Sequence, residues 1–213
     1  MLALPLTSFR ANVRVLSSIL ILFGSMALLG CANVSTPSKT SLRSAEQLST
    51  QPDGTRAWRA PEVRLSAFHL PADALQIDTS NKLDDEQRTA LRKAFTQTLV
   101  KELQEAGLRQ ADMPAAGVIQ VRGTVTSVEL ASPGLNAVTT LLLLAPLSRG
   151  GVSLDVEALE GTSRVAALSF KGEAGVNNVG SAFSGIGHAV LQTEIAARKF
   201  ADLLLQRAPK STL

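Results

Sequence analysis

The feature that most limits what this chain can fold into is the run from Val15 to Leu29, which holds no charge and follows a stretch containing Arg10 and Arg14 but no acid. A helix that stays in a bilayer needs roughly 20 apolar residues. The run is shorter than that, and its basic-then-apolar layout is that of a secretory signal. On this reading residues 1–30 are removed, and 213 less 30 leaves 183 residues to fold, enough for one compact domain. Of 21 basic residues, losing Arg10 and Arg14 leaves 19 against 18 acidic ones, a net of +1 in place of +3. That balance makes no single-signed field to gather phosphate, so nucleic-acid binding is set aside.

Cys31 is the one cysteine, so no internal disulfide is possible. It follows directly on Leu28-Leu29-Gly30, and the four residues resemble the lipobox of bacterial lipoproteins: an aliphatic residue, a tolerant position, a small residue, then cysteine. The resemblance implies that the peptidase recognises Leu28, Leu29 and Gly30 and cuts before Cys31. The Cys31 thiol would carry a diacylglyceryl group and the freed amine an acyl chain. Each buried methylene contributes about 0.8 kcal/mol, and two or three chains hold a protein lastingly where one holds it marginally. The competing reading is a buried thiol in an ordinary signal anchor. Ala32 stands where inner-membrane lipoproteins of enteric bacteria often have aspartate. Resemblance to that sorting rule implies the outer membrane with the body facing the periplasm, the periplasmic face of the inner membrane being the alternative.

From residue 31 to about residue 60 the chain is rich in Ser, Thr, Pro, Gln and charge, and it reads as a flexible tether. Trp58, wasteful in a free linker, is expected to dock on the body. A single domain is expected over residues 61–208, with a tail at 209–213. Its first strand lies within Val63–Ile77, interrupted by Pro71, with Leu75-Gln76-Ile77 its best-defined piece. Asp84 and Asp85 then cap a helix whose apolar stripe is Leu91, Ala94, Phe95, Thr98, Leu99 and Leu103, closed by Gly107. Along Val118–Leu130, Ile119, Val121, Gly123 and Val125 share one face. The phase slips at Ser127, after which Val128 and Leu130 carry the apolar side, so a bulge is expected there. Strands around Val152–Ala158 and Ala166–Lys171 form a hairpin through Gly161-Thr162-Ser163. A last helix runs from about residue 182 or 187 to 206 with a stripe through Ile186, Val190, Thr193, Ala197, Phe200 and Leu204. The expected fold is α+β: a mostly antiparallel sheet of about four strands with two amphipathic helices on one face.

The chemistry-bearing candidates are few. The connection between the long strand and the hairpin contains Leu141, Leu142, Leu143 and Leu144 within an apolar segment at 138–147, which reads either as extra core over the sheet edge or as a contact for lipid or a partner. Gly185-Ile186-Gly187 lacks the third glycine and the strand-helix setting of a phosphate-cradling turn, and a loop leading into the last helix is the favoured reading. Ser184 and His188 are four apart, but no nucleophile elbow surrounds them, and such a pair at a helix start is more often at the surface than in a site. His69 reads as a satisfied, partly buried histidine. Asp155 and Glu157, on the outer side of one strand, are expected to face solvent. With two histidines and no spare thiolate, no metal site and no cofactor are expected.

Several segments together carry a further resemblance: Val118-Ile119-Gln120-Val121-Arg122-Gly123-Thr124-Val125-Thr126-Ser127-Val128, then Ser132-Pro133 with Leu135-Asn136, then Arg149-Gly150-Gly151 leading into Val156-Glu157. In these the chain resembles the uncharacterised bacterial lipoproteins defined by the domain of unknown function three-three-one-three. Where such proteins often have an acid and a Thr-Gly pair at the hairpin turn, this chain has Glu160-Gly161-Thr162-Ser163-Arg164. The resemblance implies a lipid anchor and an envelope location, and it transfers only Cys31. The expected function is a noncatalytic binding or adaptor module in envelope assembly, maintenance or transport, bound to the membrane through lipid and to an envelope protein partner. A lipid carrier using the 138–147 segment is the alternative, and a periplasmic hydrolase the third.

Overall fold

The computed structural model describes residues 42, 45–130, 151–173 and 186–207. After a short 3-10 turn at Ala45–Gln47 come β1 (Ser49–Thr50), β2 (Arg56–Arg59), β3 (Ala67–His69), β4 (Leu75–Ile77), α1 (Asp85–Glu105), β5 (Arg109–Gln110), β6 (Val118–Glu129), β7 (Gly151–Glu160), β8 (Ser163–Glu173) and α2 (Gly187–Leu205). The fold is α+β, but its sheet has eight strands where about four were expected, in the order β1-β2-β8-β7-β6-β3-β5 with β4 also on β6. The extra strands are two to four residues long. Such lengths are too short to display a period in sequence. The sheet is mostly antiparallel, as expected, but one edge of it is parallel. The pairs from β1 to β6 are antiparallel, whereas β3 and β4 join β6, and β5 joins β3, in parallel.

The interruption at Pro71 splits the first expected strand in two. β3 pairs with residues 118–120 and β4 with 123–125, both along the free edge of β6. Pro71 has no N–H to give to a ladder. The chain turns out between the two strands, the Ala74 N–H donating to the Pro71 carbonyl at 2.9 Å, before the Gly123 N–H takes up the Ala74 carbonyl at 2.6 Å.

Helix α1 starts where Asp84 accepts the Gln87 N–H at 2.8 Å and the Gln87 side chain accepts the Asp84 N–H at 3.2 Å, a reciprocal cap. Gly107, at φ 86°, ends it. There the Leu108 N–H donates to the Leu103 carbonyl at 3.1 Å, which only a residue free to turn left-handed permits so cheaply. Leu91, Phe95, Leu99 and Leu103 are fully buried along one stripe, as are Ala196, Ala197, Phe200 and Leu204 of α2. Both helices lie on the same face of the sheet: a side chain on Gly123 would come within 3.3 Å of Phe95, and Gly172 abuts Gln192. Phe68, Phe95 and Phe200 are wholly enclosed. Each such side chain contributes about 1.5–3 kcal/mol by leaving water.

The slip expected at Ser127 is present, with the β6–β7 register shifting between Val125 and Ser127. Past the bulge the Val128 N–H donates to Asn81 Oδ1 at 2.8 Å, and the Asn81 amide donates to the Asp78 carbonyl at 3.1 Å. Asn81 is buried, so this side chain supplies the partner that a neighbouring strand would otherwise give. Val128 packs against the core, but Leu130 is 41% exposed and does not continue the apolar face. In the β7–β8 hairpin Gly161, at φ 60°, takes the first turn position between the paired Glu160 and Ser163, where a two-residue turn wants positive φ.

Candidate functional site

The sheet face turned away from the helices carries the polar side chains of the alternating strands. Register aligns Arg56, Ser169, Asp155 and Thr124 across four strands, and Trp58, Ala167, Glu157 and Arg122 in the next row. The centre of this face is closed, with Asp155 3% and Ala167 0% exposed. Arg122 and Lys171 are exposed at its margins, and Glu157 is half-buried. The expectation that Asp155 and Glu157 face solvent is therefore corrected for Asp155. Alternation tells which face a residue joins but not whether that face is covered.

A second correction concerns the N-terminal segment. Residues 49–59, read as tether from their composition, form β1 and β2 and extend the sheet. Trp58 docks as expected, half-buried on β2, with the Arg164 guanidinium 5.5 Å from its ring centroid. That geometry allows a cation–π contact. Arg164 also donates to the Gln47 side chain at 2.9 Å.

On the helix side, Arg59 donates to three carbonyls: Leu204 at 3.0 Å, Ala60 at 3.0 Å and Val63 at 3.3 Å. Leu204 is in the last turn of α2, whose end carbonyls lack helical partners and carry partial negative charge. Burial holds the Arg59 guanidinium below its usual value. Asp53, in the turn between β1 and β2, pairs with Lys199 of α2. Burial alone would raise its carboxyl, but the Lys199 ammonium and the backbone and side chain of Thr55 hold it below the ordinary carboxylate value. Arg59 and Asp53 thus fasten the N-terminal hairpin to the last helix. No periodicity in the sequence points to either, because their partners are about 145 residues away.

The two histidines sit on different elements, His69 on β3 and His188 on α2. His69 Nδ1 is 3.0 Å from the Ala111 carbonyl and half-buried, as expected of a satisfied histidine. His188, expected at the surface by its place at a helix start, is 3% exposed in the first turn of α2. Burial pushes its imidazole below the ordinary value. Its sequence neighbour Ser184 lies outside the described residues, as do Gly185, the lipobox Leu28-Leu29-Gly30-Cys31 and the run Leu141, Leu142, Leu143 and Leu144. Among the described residues no three of His, Cys, Asp and Glu are grouped to hold a metal. Also among them, no helix is long and apolar enough to cross a membrane. At the β6–β7–β8 end, Ser127, Glu129, Ser153 and Lys171 line a cleft of about 10 Å³, room for one water.

Among the described residues these features define an α+β protein with a mixed eight-stranded sheet and two helices on one side. Residues 39–198 match the family described as "Protein of unknown function (DUF3313)", and the chain belongs to that family. No curated protein matches the chain. Among solved structures it is similar to a PelC dodecamer from Paraburkholderia phytofirmans, at 14% identity and a TM-score of 0.43, over 73% of this chain and 98% of that one. A dodecamer of a PelC variant from the same organism matches at 12% identity and a TM-score of 0.37, over 65% of this chain and 97% of that one.

Proposed function

We propose that this protein is a lipid-anchored envelope protein that acts without catalysis, as a binding or adaptor module in envelope assembly, maintenance or transport. The observation that carries the reading is the lone Cys31 directly after Leu28-Leu29-Gly30, at the end of a basic-then-apolar leader. In this proposal cleavage before Cys31 leaves an acylated residue that holds the α+β body at a bilayer through a short polar tether. Ala32 favours the outer membrane, periplasm-facing, over the periplasmic face of the inner membrane. The partner is an envelope protein.

Growth with labelled palmitate tests the anchor. Label should enter the wild-type chain and be lost from Cys31→Ser, while the serine variant keeps its leader and runs larger. Equal labelling of the two, or none of the wild type, would sink the anchor. Crosslinking in intact cells tests the adaptor role and should trap an envelope protein. Phospholipid co-purifying with the gently isolated body would favour a carrier using the 138–147 segment instead. Hydrolysis of an ester or peptide by the purified chain, lost on His188→Gln, would favour an enzyme.

A further inference from the structure

We draw no further inference here: the strongest candidate, the sheet face turned away from the helices, where Ser153, Asp155 and Ala167 are closed to solvent between the exposed margins of Arg122 and Lys171, carries nothing because nothing in the structure shows what covers it.

Discussion

Replacing Arg59 tests whether the N-terminal hairpin is part of the folded body or an ornament on it. Its guanidinium donates to the carbonyls of Leu204, Ala60 and Val63. Hydrogen bonds from a charged donor are worth about 1.5–3 kcal/mol each when buried. Arg59 is only half-buried, and two of its acceptors are local, so the low end of that range applies and the bonds do not add in full. A cation at a helix C-terminus contributes about 0.3–1 kcal/mol more. Arg59→Met keeps the aliphatic stem and removes the charge and every donor. The expected loss is about 2–4 kcal/mol, on the order of 10 °C in melting temperature for a chain of this size. Arg59→Lys keeps a charge near α2 but cannot span three carbonyls with one ammonium, and should lose about 1–2 kcal/mol. Urea unfolding of the chain carrying Cys31→Ser reads both losses as shifts in midpoint at constant slope. Hydrogen exchange should quicken at the end of α2 in the methionine variant. A methionine variant within about 0.5 kcal/mol of the parent, or a lysine variant as damaging as methionine, would refute the fork-and-carbonyl argument.

Three further outcomes follow from other parts of the fold. Asn81→Ala leaves the Val128 N–H without its acceptor beside the β6 bulge and should cost about 1–3 kcal/mol in urea unfolding, with faster exchange at the Val128 amide; unchanged exchange there would count against Asn81 as the bulge's partner. Gly172→Ala would put a methyl within 2.5 Å of the Phe170 ring and against Gln192, so a destabilisation of about 1–3 kcal/mol is expected, and a variant as stable as the parent would mean the β8–α2 contact is looser than described. The lowered His188 imidazole means that near pH 6.5 an unfolded chain takes up a proton that the folded chain refuses. Stability is then full above that pH and falls as pH drops below it toward the folded value, by at most about 1.4 kcal/mol per pH unit. His188→Gln should remove this component, so identical pH slopes in urea midpoints for parent and variant would contradict it.

The parts of the fold legible in the sequence are those whose cause is local. Asp84 with Gln87 and Gly107 mark the ends of α1 because caps act on backbone groups within one turn. The slip at Ser127 shows because a bulge must shift the alternation of the very strand that carries it. Family membership is legible for a related reason, since the alternating segment from Val118 to Val128 lies within the matched residues 39–198. Even Trp58 announced its docking, an aromatic ring being costly to leave in water.

What only the tertiary structure decided involves partners distant along the chain. β1 and β2 are too short to show a period and are held by pairing with β8 and by bonds to α2, so composition alone makes residues 49–59 look like tether. The parallel edge of β3, β4 and β5 likewise depends on where α1 returns the chain, which no spacing within those strands encodes. Asp155 and His188 have polar side chains that sequence places at a surface, and packing encloses both. Periodicity and capping report how a residue relates to its own element. Burial and long-range hydrogen bonding depend on what the rest of the chain brings against that element, and only the folded arrangement settles that.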